Sequence, residues 1–356
     1  MNDEIKLVRY ITIRYADPIC AIDLNDKYLL YGTMLGTAAC YLINQKKLIT
    51  LSETQEENVS GVKIQENKEN QKDNKLIVCV GDDKILLYNS LCENLNEIPK
   101  YEEIYNYQSE NEHYKKCEKC FAMLKNNYLV RTFIEFPNEV KTPSQIYSTE
   151  ISIKNLSNLN EKEIETNIDM SNYCVPFDFD GEKYVFIDFL EEKKRMFEIY
   201  DIKAKNHILN FEIEKYKEKI GHISLLQLLK NDTMFLVRDY NICEIRNLQF
   251  DLLRIFNINI NQNEILAYDV LYLNEDDNEN FVIYLLDIKC NVIQYSYKYN
   301  KVKQLINLEN LDIDQVIKDQ KYFSMGYPYY IKVSKHYMAI SSDYGCILLQ
   351  HNASAL

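Results

Sequence analysis

Seven short segments of the chain repeat one pattern: an apolar residue, a second apolar residue two positions on, a larger side chain, then a small polar one. They read CYLIN at 40–44, ILLYN at 85–89, ISIKN at 151–155, FEIYD at 197–201, CEIRN at 243–247, VIQYS at 292–296 and ILLQH at 347–351. Gln294 interrupts the sixth copy and His351 is an irregular end to the seventh. The last residues fall at 44, 89, 155, 201, 247, 296 and 351, which gives spacings of 45, 66, 46, 46, 49 and 55. Self-similarity at a fixed period is the signature of a repeat architecture, in which each repeat is one supersecondary unit that buries its apolar faces against its neighbours.

Each copy has strand-like companions in a constant order. In the fifth repeat residues 223–229, 233–240, 242–248 and 251–257 read as four successive strands. The fourth gives 175–180, 183–189, 196–202 and 207–213, and the sixth gives 265–273, 281–288, 292–298 and 302–308. Short apolar runs bounded by Asn, Asp, Gly and Lys are the pattern of strands rather than helices. The aromatic set of 29 Tyr, 14 Phe and no Trp suits pleated, half-buried surfaces. The seventh repeat supplies three strands, at 329–334, 337–342 and 346–350, and lacks an outer one. Residues 5–14 are strand-like and precede the first complete repeat, so they can fill that place and remove the unpaired edges.

This arrangement resembles the WD-repeat family over nearly the whole chain. The resemblance implies an all-β, seven-bladed β-propeller closed by an N-terminal strand that completes the last blade. It implies one domain over 1–356. The family's Trp is absent: Tyr88, Tyr200 and Tyr295 stand in its place, while Lys154, Arg246 and Gln350 depart further. The Gly-His pair occurs as Gly221-His222, and the turn SSDYG at 341–345 is similar to the family's second-to-third-strand turn, with Asp83, Asp239 and Asp287 at comparable positions.

The remaining features bear on chemistry. A net charge of −13 disfavours phosphate backbones and anionic lipid, so no direct nucleic-acid partner is expected and a basic protein surface is favoured. No apolar run is long enough to span a bilayer, so no membrane insertion is expected. The ten cysteines lie mostly in apolar runs, where a free thiol behaves as a small hydrophobe, and this points to a reducing, cytoplasmic setting. Cys117 and Cys120, with His113 before them, have local metal-ligand spacing. A structural zinc needs about four converging ligands and no second pair follows, so no metal is expected. With five histidines and no nucleophile elbow or phosphate-binding loop, no catalytic residue or cofactor is expected. The turn aspartates, with Asp343, read as caps of nearby backbone N–H groups. The acidic run 275–279 reads as a hairpin tip.

The expected function is a non-catalytic protein–protein interaction scaffold, a subunit of a larger assembly. An excess of Asn, Lys, Ile and Tyr suggests an AT-rich protist genome, and from this alone comes the expectation of a cytoskeletal or ciliary complex. The alternative is a propeller enzyme or small-ligand reader using the central channel, which would require convergent polar groups on inner strands. Two insertions, at 137–148 and 309–328, emerge on the face of the second-to-third-strand turns. Long ordered loops tend to carry function. The second insertion holds Tyr322, Phe323, Tyr327 and Pro328, the expected partner-binding residues.

Overall fold

The computed structural model describes residues 5–13, 17–53, 58–65, 75–80, 84–88, 99–106, 117–125, 128–135, 148–155, 164–168, 174–179, 184–191, 194–201, 204, 206–212, 223–230, 232–257, 263–274, 277–311, 328–342 and 345–351. These form strands β1 to β28, with a single 3-10 turn, Leu308–Asn310. Every strand belongs to one of seven four-stranded antiparallel sheets among the described residues.

The chain groups into two compact units. The first comprises residues 1–81, 86–102 and 258–356. It opens with β1 (Lys6–Thr12). Then come the sheet β2 (Ile19–Leu24), β3 (Tyr28–Thr33), β4 (Thr37–Leu42), β5 (Lys47–Glu53) and the sheet β6 (Val59–Gln65), β7 (Lys75–Val80), β8 (Lys84–Tyr88), β9 (Glu102–Asn106), whose last two strands run across the unit boundary. The second unit, residues 82–85 and 103–257, holds three sheets. They are β10 (Cys117–Lys125) to β13 (Ile164–Ile168) by way of β11 (Tyr128–Glu135) and β12 (Ser148–Asn155); β14 (Cys174–Phe179), β15 (Tyr184–Glu191), β16 (Lys194–Asp201) and β17 (Asn206–Glu212); and β18 (Ile223–Leu229), β19 (Thr233–Arg238), β20 (Ile242–Asn247) and β21 (Leu252–Asn257). The first unit resumes with β22 (Ile265–Tyr272), β23 (Phe281–Asp287), β24 (Asn291–Ser296) and β25 (Lys301–Asn307), followed by β26 (Pro328–Val333), β27 (Tyr337–Ser342) and β28 (Gly345–Gln350).

The seven copies of the sequence pattern all fall on third strands: β4, β8, β12, β16, β20, β24 and β28. The extra strand takes the vacant place. β1 pairs antiparallel with β28, with Lys6 opposite Gln350 and Thr12 opposite Gly345, so the last sheet runs β1-β28-β27-β26. Pro328 stands at the first residue of β26, where its missing N–H costs the ladder least.

Side-chain alternation explains the packing of the first unit. Successive residues of a strand face opposite sides of its sheet. Leu30, Ala38 and Cys40 pack with Val62, Ile64, Leu76, Val78 and Tyr88 of the following sheet. Their neighbours Leu29, Tyr31, Ala39 and Tyr41 pack instead with Ala339, Cys346 and Leu348 of the last sheet, joined by Ile11 of β1. The far face of the last sheet, with Ile331, Met338, Ile340, Ile347 and Leu349, meets Val282, Tyr284, Leu286 and Val292, and Tyr10 closes it. Four sheets are thus stacked face to face, and the central strands are apolar on both sides. Each fully buried Leu, Ile or Val contributes roughly 1.5–3 kcal/mol.

Two devices repeat beneath this packing. First, the pairing of the first with the second strand carries a bulge in all seven sheets, leaving out Cys20, Ser60, Glu118, Phe177, Ser224, Leu266 or Tyr329. Cys20 and Ser224 occupy the same bulge position. The Ser224 hydroxyl donates to the second-strand carbonyl of Val237 (3.2 Å), and the Cys20 sulfur lies 3.6 Å from the equivalent carbonyl of Gly32. Second, the residue three after the bulge latches one sheet to the next. Asp23 Oδ2 accepts from the Ile64 N–H at 2.8 Å and lies 3.1 Å from Lys63 Nζ. Asp269 repeats this on the last sheet, accepting from the Val333 N–H at 2.8 Å and from Lys332 Nζ at 3.0 Å. Each carboxylate covers an N–H on a first strand that the sheet ladder does not use.

Gly32 shows how closely two sheets approach. A Cβ built at this position would overlap the Val59 side chain of β6. Gly32→Ala should therefore lower stability by about 1–3 kcal/mol, the usual cost of overpacking. The denaturation midpoint measures it, and adding Val59→Ala should recover part of the loss.

Candidate interaction surface

The second-to-third-strand turns and the connections entering the first strands lie at one end of each sheet, and in two sheets of the first unit the described residues of the two are bonded together. In the first complete sheet the Met34 N–H donates to the Pro18 carbonyl at 3.0 Å, and the Leu35 N–H donates to Asp17 Oδ1 at 2.7 Å. Thr33 Oγ1 accepts from the Thr37 N–H at 3.0 Å. Gly36, at φ 92°, supplies the left-handed residue that closes this turn.

The β22–β25 sheet builds the same clamp with the roles exchanged. The Ile288 N–H donates to the Glu264 carbonyl at 2.9 Å. Asp287, fully buried, now holds the acid: Oδ1 accepts from the N–H groups of Lys289 (2.9 Å) and Asn291 (2.8 Å). Its Oδ2 accepts from Asn291 Nδ2 (2.8 Å) and Asn263 Nδ2 (2.9 Å). Asn263 and Asp17 correspond, each two residues before the first residue of its sheet. One site pairs acid in the connection with hydroxyl in the turn; the other pairs amide in the connection with acid in the turn. Asp287 is thus a turn cap with four donors around it. Asp239 differs: it has φ 49° and its Oδ2 accepts from Arg238 Nη1 at 3.0 Å.

These clamps fix the backbone and leave large apolar side chains in solvent. Met34 is 59% exposed and Leu35 58%. Ile288 takes the corresponding place in the other sheet and is also exposed, as is Tyr330 at the start of β26. Behind the first clamp, Cys20 Sγ donates to the Val59 carbonyl at 2.9 Å, and burial raises its thiol to about 11. It is a packed thiol with little thiolate at neutral pH.

Of the residues expected to bind a partner, Tyr322, Phe323 and Tyr327 lie outside the described residues. Pro328 is described only as the first residue of β26. The insertion at 137–148 is described only at its end, Ser148 of β12, and that at 309–328 only at 309–311 and Pro328. Gly221-His222, Asp83 and Asp343 also lie outside. The part of the acidic run that is described is a hairpin tip between β22 and β23, where the Asn280 N–H donates to the Asp277 carbonyl at 2.9 Å.

Cys117 and Cys120 lie on β10, with a bulge between Cys117 and Lys119; His113 is outside the described residues. Among the described residues no group of three or more His, Cys, Asp and Glu side chains converges. The described cysteines with placed side chains are free, and Cys40, Cys243 and Cys346 are fully buried. His351 is buried too. Its Nε2 lies 3.1 Å from both the Ser334 and Tyr337 carbonyls, so this nitrogen carries a proton, and burial holds the imidazole below its ordinary value. No helix among the described residues is long and apolar enough to cross a membrane.

The fold defined by these sheets is propeller-like. No family profile matches the chain, and no curated protein matches it in sequence. Solved structures do. Raptor from Chaetomium thermophilum superposes over 98% of this chain with a TM-score of 0.60 at 8% identity. This chain spans only 29% of that one. A chain of the mitotic checkpoint complex superposes over 97% of this chain and 93% of its own length, with a TM-score of 0.54 at 9% identity. At these identities the likeness shows the fold alone, a propeller-like architecture.

Proposed function

We propose that the seven sheets form one closed seven-bladed ring over residues 1–356, completed by β1, and that this ring is a non-catalytic scaffold within a multi-protein assembly. The observation that carries the reading is the clamped end of the first unit: turns held by buried Asp17 and Asp287, with Met34, Leu35 and Ile288 exposed above them. Apolar side chains on a backbone already fixed bind at little ordering cost, which suits partner recognition. The polar groups beneath are taken up in holding the turns, which leaves them poorly placed for catalysis. A net charge of −13 favours neutral or basic protein partners over nucleic acid.

The main contact on this end is assigned to the connection preceding β26, through Tyr322, Phe323 and Tyr327, with Pro328 fixing where the strand begins. Changing the three aromatics together to Ser should weaken partner association by tenfold or more, about 1.4 kcal/mol or greater, while the unfolding midpoint holds. Partners would first be identified by affinity purification from the native cell. Intact binding, or collapse of the fold, would remove this loop as the contact. A cytoplasmic setting in a cytoskeletal or ciliary complex rests on composition alone, and imaging of the tagged protein tests it.

A further inference from the structure

We propose that β21 is a docking edge to which an extended segment of a different protein adds as a fifth strand. This rests on the scaffold reading but uses a separate surface.

β21 is the last strand of its sheet and pairs only with β20 among the described residues. Leu252, Leu253 and Ile255 are 48%, 47% and 52% exposed, three aliphatics within four residues of an open edge. Among the other outer strands with described side chains, β5 exposes one aliphatic, Leu48, beside a half-buried Lys47, and three expose charge. β25 exposes Lys301 and Lys303, β9 exposes Glu102 and Glu103, and β1 exposes Lys6 and Arg9. Such charges are the ordinary means of preventing edge pairing; on β21 the one charged side chain, Arg254, is half-buried between exposed Leu253 and Ile255.

The edge is also held rigid from within. Glu244, almost fully buried, accepts from Arg238 Nε at 3.0 Å and from Arg246 Nε at 2.8 Å. Arg246 then reaches the turn into β21, donating through Nη1 to the Phe250 carbonyl at 2.7 Å, with its guanidinium 5.2 Å from the Phe250 ring centroid. Asn247 closes the same turn, its N–H donating to the Asp251 carbonyl at 3.1 Å and its Oδ1 accepting from the Asp251 N–H at 2.8 Å. Further along, Phe256 is buried and stacks on Phe235 at 6.2 Å. The strand is fixed at both ends while its apolar middle faces solvent.

An open main-chain edge selects a strand as its occupant, because only a ladder partner meets its N–H and C=O groups while alternate side chains pack on the aliphatics. Charge argues against a second copy of this chain. Each copy carries −13, and a symmetric pair centred on Arg254 would set that guanidinium against its twin. The occupant is therefore a segment of alternating apolar residues from a neutral or basic protein.

The test places a photoreactive amino acid at position 253, and separately at 322, in the full chain in its own cells. The expected result at 253 is a crosslink to one defined segment of another protein. A synthetic peptide of that segment should then slow amide exchange across 252–257 by about tenfold or more in the purified full-length protein. Ile255→Lys should weaken the peptide by about tenfold with the unfolding midpoint unchanged. A crosslink at 253 only to a second copy overturns the proposal, and so does a peptide that leaves exchange unaltered. Crosslinks from 322 but none from 253 overturn it while leaving the scaffold reading standing; silence at both positions removes both.

Discussion

Removing residues 1–14 should leave a protein that no longer folds stably at 37 °C. β1 fills the fourth place in the last sheet, and its pairing with β28 runs from Lys6–Gln350 to Thr12–Gly345. Tyr10 and Ile11 are buried on opposite faces of that sheet, one against the β22–β25 side and the other against the β2–β5 side. Ile5, Leu7, Val8 and Ile13 are partly buried beside them. Two fully buried side chains and four partial ones contribute roughly 5–10 kcal/mol of apolar burial. That is comparable to the whole net stability of an ordinary domain, about 5–15 kcal/mol. The deletion also bares β28, whose sequence GCILLQ would become an apolar edge. Soluble yield and the thermal midpoint are the measurements. Supplying residues 1–14 as a separate peptide should restore part of the midpoint, whereas an unchanged midpoint in the deleted chain would show that β1 contributes little to the fold. A milder form, Ile11→Asp, should act in the same direction by placing a carboxylate between two packed faces.

The strand order was legible because burial imposes a period on the sequence. β18 and β27 have the bounds read from the chain, at 223–229 and 337–342, and the strand-like run at 5–14 contains β1, which pairs with β28. The bulges were not legible. One residue left out of a ladder changes the alternation only locally, and Cys20, Ser60, Leu266 and Tyr329 share no side-chain chemistry that would reveal the repeat. The inter-sheet latches were hidden for a related reason. Asp23 and Asp269 look like ordinary polar positions, and their partners Lys63 and Lys332 lie far off in the chain. Glu244 and Arg246 sit in the CEIRN copy of the repeat, where alternation alone would send them to solvent; their burial requires the mutual pairing that only the folded sheet shows. Of the clamps, the turn acid Asp287 was readable as a cap, but Asn263 and Asp17 were not. The signal, a polar residue two positions before the first strand's leading Ile, becomes visible only once the strand start is known.

Asp287→Ala should be among the most damaging single substitutions in the first unit, costing about 3–5 kcal/mol, as expected when one partner of a buried charged network is removed. The carboxylate is fully buried and takes four donors: the N–H groups of Lys289 and Asn291 and the side-chain amides of Asn291 and Asn263. Alanine leaves those donors without the acceptor that all four share. Asn291 is partly compensated, since its Oδ1 accepts from Gln304 Nε2 and Asn307 Nδ2, both at 2.9 Å, but reorienting its amide would break those bonds as well. Asp287→Asn separates the contributions. Its remaining oxygen can still accept the two backbone N–H groups, so the turn should survive, while its new amide hydrogens face the amides of Asn263 and Asn291. The expected order of stability is wild type, then Asn, then Ala, read from denaturant midpoints at unchanged slope. Adding Asn263→Asp to Asp287→Asn transposes the acid to the connection, the arrangement the β2–β5 sheet already uses through Asp17. That double variant should be more stable than Asp287→Asn alone. A double variant no better than the single one would show that the two clamps are not equivalent devices, and that the acid must stand in the turn itself.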